Sequence, residues 1–256
     1  MFVQDQVMNI QKIPEKTGEF SSFMKTLVLL VLVVSTSPVG FSQYHAIGIH
    51  GSLDYGYRNL STNSATEDAN LAERNFLEYP SIGVTMGLNY AYRQQQMAFL
   101  FEGQYSIRGY DENNTGQPQN STFIQPDYQI FYYYRFIDAG LNFAYYLTEN
   151  KLQLFLTTGM RLNYFLSGEE RRVDFFQDGS MQTATMAMTD EALNTITAQL
   201  TAGIGFHYQH TERISYQLIP SFNYGLQSIT PPPISERLFS GSLRVGISYL
   251  FPTKGE

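Results

Sequence analysis

Residues 82–92 read IGVTMGLNYAY, and this stretch alternates strictly between two kinds of side chain. Its even positions are apolar or aromatic, whereas its odd positions are Gly, Thr, Asn and Ala. Successive side chains of a β-strand point to opposite faces, so a period of two indicates a strand with one apolar and one small-polar face. Residues 197–208 and 239–251 repeat the pattern. Strands of this kind therefore decide the fold.

Eight segments fit this period, with tight turns and long polar loops alternating between them: 46–58, 82–92, 97–109, 131–147, 152–166, 197–208, 213–227 and 239–251. Short turns at one end and long loops at the other are typical of an up-and-down antiparallel barrel. Pro220 interrupts the seventh segment. Because proline has no N–H group to donate to a neighbouring strand, we expect a bulge or a local break there.

The polar faces of these strands are mostly Gly, Ser, Thr, Asn and Gln, which suit the crowded interior of an eight-stranded barrel. A soluble lipocalin-like barrel is the alternative, with its apolar face inward and charged residues outside. Aromatic residues near the strand ends favour two girdles at lipid–water interfaces. The predicted fold is all-β, an eight-stranded antiparallel up-and-down transmembrane β-barrel. Its predicted aromatic girdle consists of Tyr55, Tyr57, Tyr90, Tyr92, Tyr145, Tyr164, Phe206, Tyr208, Tyr224, Phe239, Tyr249 and Phe251.

Residues 24–42 have the parts of a secretory signal peptide: Lys25, an apolar run over 27–34 and small residues before Gln43. The apolar run is shorter than the ~20 residues that a membrane-spanning helix needs. We expect 1–23 to be a disordered, over-called start and 43–256 to be the barrel domain. An exported barrel of this kind is expected in the outer membrane of a Gram-negative bacterium.

The composition excludes several classes of function. The 256 residues include no Cys, which excludes disulfide scaffolds, thiolate metal sites and thiol catalysis. The net charge of −7 is the opposite of a nucleic-acid-binding surplus, so no nucleic-acid partner is expected. The four histidines lack the spacing of a metal or catalytic motif, and no GxSxG is present. We predict no catalytic residue, no metal and no cofactor; a lipid-modifying hydrolase remains an alternative.

Charged side chains on the polar faces form the candidate site. Side chains at the polar positions of each alternating strand should point into the lumen. By this rule of strand parity the lumen should contain Asp54, Glu102, Arg108, Asp138, Arg161, Arg244, His50 and His207. Mixed charges in a tight interior predict ion pairs and hydrogen bonds across the lumen. Because eight strands leave no open aqueous channel, we interpret these side chains as a structural polar plug. A gated proton or ion path is the alternative.

The long loops carry most of the acidic residues and should be a solvated surface. The sharper alternative is divalent-cation bridging to lipopolysaccharide, or docking to a basic partner. Residues 184–193 (ATMAMTDEAL) favour a short helix, and the prolines at 231–233 should extend the last loop. The expected partners are outer-membrane lipid, lipopolysaccharide and a protein at the extracellular loops, with the barrel itself a monomer.

Residues 137–147 (IDAGLNFAYYL) and 151–164 (KLQLFLTTGMRLNY) resemble the central hairpin of the PorT-like outer-membrane β-barrel family of Bacteroidetes. Residues 97–110 and 237–251 resemble that family's preceding and closing strands. The resemblance spans 44–251 and implies an outer-membrane location and a role beside the type IX secretion or gliding machinery. The residues themselves favour a structural or interaction role through the loops, without catalysis.

Overall fold

A computed structural model describes residues 43–62, 78–114, 127–148, 150–188, 193–231 and 234–252. The predicted start and signal segments, 1–23 and 24–42, lie outside these residues. Within the described ranges no helix is long and apolar enough to cross a membrane. Nine β-strands are present there: β1 (Gln43–Thr62), β2 (Glu78–Gln94), β3 (Met97–Asn114), β4 (Asp127–Tyr146), β5 (Leu152–Phe175), β6 (Met181–Met188), β7 (Ile196–Gln209), β8 (Ile214–Gly225) and β9 (Ile234–Pro252).

Eight of the strands form a closed ring in the order β1-β2-β3-β4-β5-β7-β8-β9, and β9 pairs back onto β1. Every neighbouring pair is antiparallel. Tight connections join β2 to β3, β4 to β5 and β7 to β8, all at one end of the ring. The predicted eight-stranded up-and-down barrel is confirmed.

β6 is a ninth strand that the sequence pattern did not predict. It pairs with the C-terminal part of β5, Gly168–Phe175, and so forms a hairpin that extends past the ring at the long-loop end. The helix predicted over 184–193 is therefore wrong for 184–188, and 189–192 lie outside the described residues. A helix of that length is marginal in water, whereas pairing with β5 satisfies backbone groups along a whole strand edge.

The ladder between β7 and β8 breaks near Pro220, as predicted. Gly203 pairs with Ser221 and Phe206 pairs with Leu218, but the residues between them are unpaired. The register is the same on both sides of the gap, so this is a local break and not a bulge. Pro220 keeps its place opposite Leu243 of β9, and the ring remains closed on that side.

The barrel has apolar side chains outside and polar side chains inside. Along β2, Ile82, Met86 and Leu88 are 70%, 73% and 63% exposed, whereas Thr85 and Asn89 between them are 4% and 7% exposed. A lipocalin-like soluble barrel has the opposite arrangement, so that alternative is excluded.

The predicted girdle residues are exposed or half-buried with one exception. Those that are exposed are Tyr55, Tyr57, Tyr145, Phe206, Tyr208, Tyr224, Tyr249 and Phe251, while Tyr90, Tyr92 and Phe239 are half-buried. Tyr164 is only 9% exposed, and both of its chain neighbours, Asn163 and Phe165, are buried too. Its ladder partners are Ile137 and the exposed Ile196, so Tyr164 keeps the register of the outer face despite its low exposure. The alternation of β5 changes phase only after it, where Leu166 is skipped in a bulge.

Candidate functional site

The centre of the lumen contains a network around Arg108 of β3. Its guanidinium forms an ion pair with Asp138 of β4, and Nη1 donates to Gln199 Oε1 on β7 at 2.8 Å. Ser106 Oγ donates to Asp138 Oδ2 at 2.9 Å. Strand parity brings these side chains inward, and the narrow ring lets β3 reach β7 across the lumen.

A second group surrounds Glu102 of β3, whose side chain is 1% exposed. It forms an ion pair with Arg244 of β9, and Arg161 Nη2 of β5 lies 3.9 Å from Glu102 Oε2. One carboxylate thus lies between the buried guanidinium group of Arg161 on β5 and the half-buried one of Arg244 on β9. Removal of this carboxylate would leave both cations in the lumen without that counter-charge.

Asp54 and His50 of β1 are held mainly by neutral groups. Asp54 accepts hydrogen bonds from the hydroxyls of Thr85 on β2 and Ser242 on β9. His50 Nε2 lies 3.1 Å from Gln104 Oε1, and Gln104 Nε2 donates to Asp138 Oδ2 at 3.1 Å. His50 is therefore linked through one amide to the central network.

His207 lies apart from the other predicted site residues, near the short-turn end of β7. Its Nδ1 is 3.2 Å from Gln153 Oε1, which also accepts from Arg93. The Arg93 guanidinium stacks 3.6 Å above the ring of Tyr146. The structure thus brings seven of the eight predicted lumen residues into the central region and places His207 in a separate polar group.

Apolar side chains close the lumen at both ends. The short-turn plug consists of Ala46, Ala91, Ala98, Leu100, Ala144, Tyr146, Phe155, Ile219 and Leu250. The long-loop plug consists of Tyr110, Ile130, Tyr132, Tyr134, Phe136, Phe165, Leu193, Ile229 and Leu238. Between them, a cavity beside Asp54, Arg108 and Gln199 has a volume of about 10 Å³, room for one water molecule at most.

Sequence parity missed a buried charge cluster beside the long-loop plug. Arg58 Nε lies 2.6 Å from Glu78 Oε1, Nη1 lies 3.1 Å from Glu236 Oε2, and Nη2 lies 3.5 Å from Glu112 Oε2. The Arg58 guanidinium also stacks 3.8 Å above the Tyr110 ring. We call Arg58 and the three glutamates the mouth cluster. Arg58 is the last residue of the predicted strand 46–58, and continuing the alternation of β3 and β9 past their predicted ends would have placed Glu112 and Glu236 beside it.

The mouth cluster places three carboxylates around one cation. Its glutamates lie beyond the predicted aromatic girdle at the long-loop end: Tyr57 pairs with Phe239, and Glu236 lies three residues further along β9, opposite Leu60. Burial raises the pKa of Glu78 from 4.5 to about 7, and the Arg58 guanidinium opposes this rise. Glu236 and Glu112 contribute to the rise in the pKa of Glu78, since like charges disfavour ionisation. Glu78 therefore binds a proton at near-neutral pH.

Solved structures of outer-membrane β-barrels are similar to this chain. Neisserial surface protein A is 13% identical, over 82% of this chain and 97% of its own, with a TM-score of 0.39. OprG from Pseudomonas aeruginosa is 10% identical over 83% and 97%, with a TM-score of 0.41. The outer-membrane protease OmpT from Escherichia coli is 10% identical over 84% and 100%, with a TM-score of 0.44.

No protein-family model and no curated protein matches the chain. The resemblance to the PorT-like family therefore stays a prediction. The assignment of the barrel rests on this chain's own strand pairing and on the burial of its polar faces.

Removal of the Glu102 carboxylate should destabilise the barrel strongly. In Glu102→Gln, Arg244 and Arg161 lose their shared counter-charge in the interior, and we expect the free energy of unfolding to fall by about 3–5 kcal/mol. The measurement is denaturant unfolding in detergent micelles. Glu169→Gln is the matched control, because it breaks a 3.1 Å pair with Arg135 in which both side chains are 35% exposed. Its loss should stay under about 1 kcal/mol, and equal losses in the two variants would contradict the account.

The mouth cluster should make stability pH-dependent through Glu78. Folded Glu78 keeps its proton up to about pH 7, whereas an unfolded glutamate loses it near 4.5, so this residue's contribution falls as pH rises between those values. Between pH 5 and pH 8, the free energy of unfolding should fall less in Glu78→Gln than in the parent. Glu212→Gln, in an exposed turn, should keep the parent's slope. Identical slopes in all three proteins would contradict the assignment.

Proposed function

We propose that this protein is an outer-membrane β-barrel with a closed lumen, whose long-loop end interacts with a partner outside the cell. The observation that carries the location is the inverted burial pattern. Apolar side chains such as Met86 and Leu88 are exposed on the outer wall, whereas Glu102 and Asp138 are buried inside it. A wall of this kind is stable where hydrocarbon, and not water, surrounds it.

The height of the apolar wall fits a bilayer. On β1 the exposed apolar side chains run from Ile47 to Tyr57, and a tilted transmembrane strand needs about 9–11 residues. Exposed aromatic residues lie at both limits, with Tyr249 and Phe251 at the short-turn end and Tyr55 and Tyr57 at the other. Aromatic side chains prefer the two membrane interfaces. Long loops of such barrels face the outside of the cell, and their short turns face the periplasm.

The packed lumen supports a structural role over transport. Its central charges are paired across the barrel, and apolar plugs lie above and below them. An ion crossing this interior would have to displace both plugs and separate buried ion pairs. The absence of catalysis stays a prediction of the sequence.

The β5–β6 hairpin is the proposed interaction element. β6 reads MQTATMAM, which carries no charge, and seven of its eight residues are exposed. In the described part of the chain β6 pairs on one side only, so its other edge presents free backbone N–H and C=O groups. Proteins usually protect such an edge with charge or proline. An uncharged, unprotected edge is suited to accept an extended segment of a partner as an added strand.

A component of the type IX secretion or gliding machinery is the second candidate. The resemblance of 137–147 and 151–164 to the PorT-like family favours it, and the hairpin would then contact another component of that machinery. Deletion of 176–188 distinguishes the two roles. Loss of secretion or gliding, with the barrel still inserted, would favour the machinery. Unchanged secretion and gliding would leave the general interaction role.

Site-specific photo-crosslinking in native membranes tests the proposal. A photoreactive residue at Thr185 of β6 should give a discrete protein adduct, because this edge is exposed beyond the barrel. The same residue at Leu88 is the matched control and should capture lipid only. The protein should fractionate with outer membranes and migrate differently on detergent gels before and after boiling. A soluble protein with one mobility, or equal adducts at the two positions, would overturn the proposal.

A further inference from the structure

The outer wall contains a groove where β1, β8 and β9 meet. Its volume is about 480 Å³. The side chains and backbone that line it on the outer face are Leu53, Tyr55, Ile82, Pro220, Gly241 and Leu243. All of these residues are exposed, so the groove opens sideways from the apolar wall. Asp54, Ser221 and Ser242 also border it.

Gly241 forms the floor of the groove. On β9 the outward positions are Phe239, Gly241 and Leu243, so a glycine interrupts an otherwise apolar column. A Cβ atom added to Gly241 would have no other atom within 4 Å, which means that the space above it is open. Its ladder partner on β1 is Tyr55, whose exposed ring forms one wall. The flat ring of Pro220 extends the depression onto β8.

An exposed cation, Arg237, lies above the groove. Arg237 lies four positions from Gly241 on the same outward column, roughly 13 Å at 3.3 Å per residue. It is exposed, sits just past the girdle residue Phe239, and is opposite the neutral Asn59. Among the described residues no carboxylate lies within ion-pair distance of Arg237, in contrast to Arg135, which is paired with Glu169. Arg237 is thus an exposed positive charge at the long-loop edge of the apolar wall.

We propose that Arg237 and the groove form a binding site for a phosphorylated acyl lipid of the outer leaflet, of the lipid A type. An acyl chain would lie over Gly241 between Tyr55 and Leu243, and the lipid's phosphate would meet Arg237 at the interface. Guanidinium groups bind phosphate through two parallel hydrogen bonds. Along the membrane normal the site has a cation at the interface and an apolar groove below it. This order matches that of the phosphate and the acyl chain in a lipid.

The choice of lipid follows from the orientation of the barrel and so rests on the proposed function. Arg237 is at the long-loop end, which faces the outer leaflet in an outer-membrane barrel. The slot opens within the membrane-facing band, where lipid is the neighbour at every position around it. If a protein side chain filled this groove instead, its protein would lie inside the bilayer. The experiment below would detect such a protein because it would co-purify with the barrel.

Native mass spectrometry of the full barrel in detergent tests the site, with diphosphoryl lipid A as the probe. The parent should retain one lipid A. Arg237→Gln should bind about tenfold more weakly, since it loses a charged hydrogen bond, and Gly241→Leu should fill the slot and also lose binding. Gly103→Leu is the matched control, because Gly103 is another outward glycine with open space above it. This control should bind as the parent does.

Loss of the lipid's phosphates should weaken binding as much as loss of the guanidinium group does. The parent should therefore bind dephosphorylated lipid A with the same affinity as Arg237→Gln binds diphosphoryl lipid A. Equal affinities for Gly241→Leu and Gly103→Leu would overturn the site, as would tighter binding of phosphatidylglycerol or a co-purifying protein that Gly241→Leu displaces. The boiled-versus-unboiled mobility shift is measured on the same samples. A chain that shows no such shift overturns the proposed function itself, whereas a shifted barrel without selective lipid retention overturns this site alone.

Discussion

Closure of the eight-stranded ring is the constraint on which the rest of the structure depends. β9 returns to β1 and β4 pairs along the length of β5, so each strand of the ring has a neighbour on both sides. The backbone groups of the wall are then paired within the sheet and need no water outside it. Only such a wall can expose an apolar surface as extended as the one that runs along β2.

The same closure determines what the interior must contain. Because alternate side chains of each strand point into a narrow lumen, every charge placed there needs a partner from another strand. Arg108 reaches Asp138 and Gln199, and Glu102 reaches Arg244. The apolar plugs at the two ends separate these pairs from solvent. The lumen is thus a packed polar core, and the surfaces left for interaction are the outer wall and the long-loop end.

The sequence predicted those features that depend on uninterrupted alternation. Ile82 and Leu88 were assigned to the outer face and Asp54 and Glu102 to the lumen, because parity holds along any regular strand. This alternation fails where the backbone departs from regularity, as in β5, where the skipped residue Leu166 changes the phase between Phe165 and Ser167.

Other features depend on contacts between distant segments, which local pattern does not encode. β6 is a strand because the C-terminal part of β5 is available to pair with it, although the composition of β6 suits a helix equally well. The mouth cluster joins Arg58, Glu112 and Glu236 from the extended ends of three strands. Glu112 and Glu236 were assigned to loops, and Arg58 is the last residue of a predicted strand whose partners are distant in sequence. The groove at Gly241 likewise exists only because β1 and β8 flank that glycine.

The central claim is that alternate residues of the wall face lipid and lumen. The chain contains no Cys, so single cysteines introduced at positions 82–92 can each carry one spin label without a background signal. In reconstituted vesicles the accessibility of the label to oxygen should peak at every even position. A water-soluble paramagnetic reagent should not reach the labels at even positions in the middle of the membrane-facing wall. Free access of the aqueous reagent to labels at Met86 and Leu88 would contradict the account.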